Sequence, residues 1–348
     1  MYILHFIMQD TRFFNATVKY LQVIILSAVL LYFGKSLLVP LFFGLFIAIV
    51  LYPVCKRLEK KGISKSVAIF ICLFIVTLLI AGLMLLLVWQ VNMLKKDAPA
   101  IIEKASVFIH NLQQRAAAGF GIEEVQSNWG KSFTSGAAGI IGIIFSAASS
   151  TFFMLFMIPI YTALFLYHRS VFIQFLQSVV PSKYKHQLDA ILGETIHTYF
   201  NYIKGMILVY IVVGVLNSIG LLALGVRHAV LFGMLCAVMT IIPYLGLIIS
   251  ALLPITVVWI DTGNILYPFG VVVLFTIVQY LEANVIFPKV VGTQLNVSTF
   301  AILVAIIAGG IIWGVSGMVL FIPFIAILKI ISDNIEELKP LNILLGRK

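Results

Sequence analysis

One carboxylate, Glu282, falls inside an apolar run, Leu281-Glu282-Ala283-Asn284-Val285-Ile286-Phe287-Pro288-Lys289. Six residues of helix separate it from Pro288, about 9 Å, which places it inside the apolar depth of the segment. An unsatisfied charge there costs several kcal/mol, so such a group is a proton or cation carrier unless a neighbouring cation pairs with it. Lys289 is the neighbour able to do so, as a snorkelling partner at the helix end. Asn284 and Gln279 on the same segment, and Asn217 and Ser218 on another apolar run, bring amides and a hydroxyl. Between membrane helices, the ordinary use of such groups is an interhelical hydrogen bond.

Two further apolar stretches are broken at their centres. Arg227 to Ile260 contains Ile242-Pro243-Tyr244-Leu245-Gly246, and Ser298 to Ile330 contains Gly309-Gly310-Ile311-Ile312-Trp313-Gly314-Val315-Ser316-Gly317. Each holds about 30 membrane-compatible residues, too many for one crossing of a hydrocarbon core about 30 Å thick. Folded back as hairpins with arms of about 11 to 14 residues, each would end near the midplane. Irregular backbone at that depth persists only where it is buried in protein or lines a wet cavity. Pro243, Tyr244 and Gly246 in the first tip, and Gly309, Gly310, Trp313 and Gly314 in the second, are therefore expected to shape a binding site, with Asn284 adding a polar contact and Glu282 carrying an ion. Tyr244 and Trp313 would stack on a polar ligand if the tips are buried, and would be ordinary interfacial aromatics if they are not. Interrupted segments in corresponding places of two halves are the sequence mark of a midplane substrate site.

These stretches belong to a chain of 348 residues that is 62% hydrophobic and 10% charged, with mean hydropathy +1.12. Soluble domains carry about 25% charge, so the expectation is an all-α polytopic membrane protein. Its formal net charge of +10 does not point to nucleic acid, because Lys and Arg gather at the ends of apolar runs. Cys55, Cys72 and Cys236 have no metal-ligand spacing and suggest no disulfide framework. Met1 to Asp10 lacks a basic stretch and a long apolar run, so the first span is expected to stay as an anchor. No P-loop, His-Glu-x-x-His or dinucleotide glycine pattern occurs, which argues against an enzyme, a cofactor or nucleotide-driven transport by this chain alone. Ser182-Lys183-Tyr184-Lys185 fits a bare Ser-x-x-Lys string without its supporting motifs. Gly314-Val315-Ser316-Gly317 is similar to a rhomboid protease nucleophile, but such a serine needs a base and no histidine follows His228.

The elements that must position these residues follow in order. Tyr20 to Phe33 and Leu37 to Val54 are spaced as a tight hairpin turning at Gly34-Lys35. The loop 55–65 holds five cations and reads as cytoplasmic, and Ser66 to Val91 crosses outward. The segment 92–136 has the pattern of a water-facing amphipathic helix on the outer side, 137–167 returns, and 168–198 is a cytoplasmic helical segment. Gly205 to Leu224 crosses outward before the first broken run, and Ile265 to Phe287 crosses back before the second. The expected architecture is about six full transmembrane helices plus two re-entrant hairpins (227–260 and 298–330) related as an inverted-topology repeat, divided into a scaffold (1–198) and a transport core (199–348). Most of the 23 basic residues then lie on the side of both termini, the cytoplasm. Two long kinked spans in place of the hairpins would exchange the sides of Asn264 and Thr293.

Tyr202-Ile203-Lys204-Gly205, Ile242-Pro243-Tyr244-Leu245-Gly246, the segment Leu281 to Gly292, and Gly309-Gly310 through Gly314, Gly317 and Pro323 follow in the order and spacing of the autoinducer-2 exporter family, which the chain resembles from about Tyr199 onward in motif and over nearly its whole length in span pattern. The resemblance implies a bacterial inner-membrane transporter with two helical hairpins around the substrate path, assembled as a homopentamer whose cores move like elevators. It implies export of a small polar solute such as autoinducer-2, or sodium/proton antiport in other members. Where the family often has Gly-Pro after its Pro-Tyr pair this chain has Gly246-Leu247, and where it often has His-Pro before the second hairpin this chain has Asn296-Val297-Ser298-Thr299. Both departures lie beside the hairpins and bear on the substrate more than on the fold. Three functions stand at this point: a solute exporter coupled to protons or sodium, a sodium (lithium)/proton antiporter, and a non-transporting membrane scaffold.

Overall fold

The computed structural model describes residues 18–83 except 20 and 24, the single positions 85, 89, 92, 103 and 107, and residues 156–347 except 242–244 and 292–293; at 245 and 247–249 it describes the backbone alone. The expected amphipathic segment 92–136 and most of the return 137–167 fall outside these residues, as do Pro243 and Tyr244. The described chain is helical, joined by turns, with one isolated antiparallel bridge between Val297 and Gly346. Its helices are α1 (Leu21–Phe33), α2 (Lys35–Lys60), α3 (Lys65–Leu83), α4 (Phe156–Tyr167), α5 (Arg169–Val179), α6 (Lys185–Ala223), α7 (Ala229–Met239), α8 (Leu245–Thr262), α9 (Leu266–Leu281), α10 (Phe287–Val290), α11 (Thr299–Trp313), α12 (Val315–Asn334) and α13 (Lys339–Leu345). Five segments are long and apolar enough to cross a membrane, or six if α4 and α5, bent by 68°, make one span. Phe70 and Phe74 point outward from α3, Leu208 and Ile211 from α6, and Ile307 and Ile311 from the shorter α11, a surface suited to lipid. The protein is an all-α polytopic membrane protein.

One expected turn is absent. Only Gly34 lies between α1 and α2, at φ −79° and ψ 3°, with its N–H still donating four residues back to Leu30 O at 2.8 Å. A single residue so close to helical geometry bends the rod but does not reverse it. At the other end of α2, the Arg169 guanidinium holds both Glu59 oxygens at 2.9 and 2.6 Å and lies over the Tyr52 ring, so α5 is pinned to the end of the span.

α6 organises the rest. Its 39 residues are about 58 Å long, so the cytoplasmic segment expected before Tyr199 and the span expected from Gly205 form one continuous rod. No Pro interrupts it, and its buried positions, Leu188, Ile191, Thr195 and Tyr199, keep helical spacing into the apolar half. Along that half, α6 receives its partners at small residues. Gly205 faces Val290 O and the Val291 side chain, Gly214 faces Ala237 Cβ, and Gly220 faces the Leu274 side chain. The resulting core gathers Val209, Val213, Leu221, Phe232, Val271 and Phe275 from α6, α7 and α9. A second core around Tyr199, Ala301, Ala326 and Leu345 ties α6 to α11, α12 and α13, helped by the Tyr199 hydroxyl donating to Pro323 O.

A buried polar cluster as the candidate functional site

α9 does not run straight into α10. Between them Glu282–Ile286 form a π-helix, with the Phe287 N–H donating to Glu282 O, five residues back. Pro288 supplies a cause: it has no N–H, and in a regular helix its ring would strike the carbonyl of Asn284. The widened turn relieves that clash, and such turns recur at functional sites. Glu282 begins the π-helix and is 9% exposed. Lys289 does not pair with it, and among the described residues no ion pair or hydrogen bond of its carboxylate is formed. Asn284 points elsewhere: it is exposed, and its Nδ2 donates to Tyr280 O at 3.0 Å.

The contacts of α6 set the level of Glu282. α9 and α10 run antiparallel to α6, with Leu274 against Gly220 and Val290 against Gly205. Glu282 is eight residues from each of Leu274 and Val290, so by interpolation between these two contacts it falls at the level of Val212 and Val213. Its charge reaches Tyr210 on α6 and Cys236 on α7. Cys236 is a junction: its thiol accepts from Asn217 Nδ2 at 3.4 Å and lies in hydrogen-bond contact with the Ser250 and Thr240 side chains. Asn217, 1% exposed, also donates to Val213 O at 3.0 Å, while its Oδ1 has no partner among the described residues.

Two close helix pairs lie in this half of the chain. In the first, α7 and α8 approach so closely that a methyl group added to Gly246 would stand 1.8 Å from Met239 O. In the second, α11 and α12 reverse at Gly314, which has φ 63° and ψ −142°, a conformation open to glycine. Gly309 and Gly317 face one another across that pair: a Cβ on Gly309 would lie 2.3 Å from Gly317 O, and a Cβ on Gly317 would lie 2.0 Å from Gly309 O. The α11 helix starts at Ser298, whose hydroxyl accepts from Ala301 N at 3.2 Å and donates to Leu344 O at 2.8 Å.

Residues 21–337 match the family model described as AI-2E family transporter. The chain belongs to the AI-2E transporter family. Its relatives include YrrI of Bacillus subtilis, 25% identical over 88% of this chain and 88% of that one. YhhT of Escherichia coli is 24% identical over 90% and 89%, and a protein of Methanothermobacter thermautotrophicus is 25% identical over 87% and 89%. All three are named as candidate transport proteins, with no substrate in the name. The likeness extends over nearly the whole chain, so membrane transport is the general role of this AI-2E family chain.

In this AI-2E protein the candidate residues fall into separate places. Glu282 opens the π-turn after α9, and Gly246 packs against Met239 within the first helix pair. Gly309, Gly310, Trp313 and Gly314 lie in the second pair, where Trp313 belongs to a different core with Val39 and Leu320. The Trp313 indole donates to Leu31 O at 2.8 Å and packs against Phe42, Phe321 and Phe324. Gly310 faces only the end of the Met318 side chain. The structure therefore does not bring Trp313 to Glu282. Tyr210, Cys236, Thr240 and Ser250 escaped sequence reasoning, since lone small polar residues in apolar runs carry no motif; the seven-residue spacing of Tyr210 and Asn217, one face of a helix, was the available signal. Trp313→Phe keeps the ring stacking and removes the bond to Leu31. The expected loss is about 1 kcal/mol, read as a lowered thermal midpoint; an unchanged midpoint would mean that the indole bond does not hold the second pair to α1.

Proposed function

We propose that this AI-2E family member is a non-enzymatic secondary transporter that moves a small polar solute, in the size and polarity range of autoinducer-2, out across the inner membrane, with Glu282 carrying the coupling proton or sodium ion. The observation that carries this reading is a buried carboxylate at a π-turn, without a cationic partner among the described residues, beside a broken helix pair in a transporter family. A structural carboxylate would be expected to keep a cation, as Glu59 keeps Arg169. In this reading the two helix pairs are re-entrant hairpins of inverted topology, and the core 199–348 shifts past the scaffold 1–198 as an elevator within a homopentamer. Pro243, Tyr244 and Gly246 with Glu282 form the solute and ion side of the path. Gly309, Gly310 and Gly314 shape the opposite tip through backbone, the Trp313 indole being committed to Leu31, and Asn284 borders the path from the exposed side of the π-turn. The lipid bilayer is the surrounding partner, and no nucleic acid takes part.

A sodium (lithium)/proton antiporter is the second reading, favoured by the same carboxylate and its acceptor-rich neighbours. A scaffold without transport is the third, and nothing in the buried cluster favours it. Thermal stabilisation of the purified protein across polyols, furanones, sodium and lithium tests the three, because a ligand of the native state raises its stability. A solute-specific rise supports the exporter, an ion-specific rise alone the antiporter, and no rise with any of them the scaffold. The topology has its own test. Single cysteines at Asn264 and Gln294 are expected to react with an impermeant maleimide from outside and from inside respectively; the reverse pattern would replace the hairpins by long kinked spans. The C-terminus is placed in the cytoplasm. The bias of Lys and Arg reads the N-terminus as cytoplasmic as well, and the bend at Gly34 takes away one support for that side.

A further inference from the structure

We propose that Asn217 and Glu282 together bind a dehydrated cation of sodium size. The inference rests on the coupling role of Glu282 and adds to it a second ligand and the identity of the ion.

The Asn217 amide has a settled orientation. Its nitrogen faces Val213 O, an obligate acceptor, so the other atom is the oxygen, and that oxygen is buried without a donor among the described residues. Leaving such an atom unsatisfied costs about 1–3 kcal/mol, a cost that a bound ligand would remove. Asn217 stands between four and five residues along α6 from the level of Glu282, about 7 Å. Side chains on a helix lean toward its N-terminus. Because α6 and α9 run in opposite directions, Asn217 leans toward Val213 and Glu282 leans toward Leu274, so the two lean toward each other. Cys236 is common to both: it accepts from the Asn217 amide and lies in the field of Glu282.

The chemistry of the cluster selects a cation. Glu282 and Asn217 Oδ1 contribute acceptors only. The Thr240 hydroxyl donates its proton to Cys236 O at 2.8 Å, which leaves lone pairs facing away from that bond. No Lys or Arg of the described residues enters the cluster. Oxygen acceptors with one formal negative charge suit a monovalent hard cation, whereas the three described thiols, His and carboxylates gather nowhere into a set for a transition metal.

The test uses the full-length protein in lipid nanodiscs, with thermal midpoints measured in sodium chloride and in choline chloride at equal ionic strength. Saturating sodium is expected to raise the wild-type midpoint by about 3–6 °C. Asn217→Leu and Glu282→Gln should both lose that rise. Asn217→Asp should keep it. Asn217→Gln, which moves the oxygen by one methylene, should need about ten-fold more sodium for half the effect and remains informative if the leucine variant does not fold. A rise of wild-type size in Asn217→Leu, or an unshifted sodium dependence in Asn217→Gln, would overturn the role of Asn217. A wild type that responds equally to sodium and choline would overturn the cation site, with a protonated Glu282 donating to Asn217 as the explanation. In that case ion-driven flux lost in Glu282→Gln still supports proton coupling, so the two readings fail separately.

Discussion

Glu282→Gln is expected to reduce ion-driven solute flux in reconstituted vesicles by about ten-fold or more while leaving the fold intact, a change of at least about 1.4 kcal/mol in the transport barrier. Glutamine has the shape of the acid but cannot alternate between charged and neutral states, and coupling through a carboxylate requires that alternation. The cost of the native residue makes the comparison clean. Glu282 is 9% exposed and has no described cation to compensate its charge. A neutral replacement removes a desolvation cost, so the thermal midpoint of Glu282→Gln in sodium-free buffer should equal or exceed that of the wild type. Lost flux with undiminished stability is the signature of a working group. Undiminished ion-dependent flux would take Glu282 out of the mechanism, and a falling midpoint would make it a structural residue.

Gly309→Ala and Gly317→Ala should be among the most damaging single-methyl changes in the described chain, together with Gly246→Ala. At all three the added carbon meets backbone oxygen at 1.8 to 2.3 Å, and backbone cannot rotate away as a side chain can. The pair must spread, at about 3 kcal/mol or more. Neighbouring glycines supply internal controls. Gly310→Ala meets only the flexible end of Met318 at 2.8 Å and should be tolerated. Gly314→Ala has open space around it but keeps φ at 63°, so its cost is conformational, about 1–3 kcal/mol. The order expected from thermal midpoints is therefore Gly309 and Gly317 worst, Gly314 between, Gly310 least. Equal effects at all four would show that the second pair does not pack by backbone contact.

This gradient also marks the limit of reading the second tip from its residues. Gly309, Gly310, Trp313 and Gly314 suggested a ligand site because irregular backbone in an apolar run must be explained. Close packing of two helices explains the pair Gly309 and Gly317 as well, and Trp313 satisfies its indole on Leu31, nearly three hundred residues away in sequence. The Leu31 partner cannot be read from local spacing. The Gly34 turn failed for a related reason: a glycine between two apolar runs permits either a reversal or a bend, and the choice depends on what each helix packs against.

The sequence by itself determined the class of the protein. Apolar runs of membrane length, cations confined to their ends and two breaks at matching places required a polytopic helical chain with two interrupted pairs, because water and lipid impose those patterns residue by residue. It also singled out Glu282, since a charge in an apolar run is costly in any fold. Tertiary structure alone decided what surrounds that charge. The gathering of Asn217, Thr240 and Ser250 about Cys236, within the field of Glu282, depends on the registers of α6, α7, α8 and α9, set by where glycines admit a neighbouring helix. Such registers arise from contacts between segments far apart in the chain, and no local spacing records them.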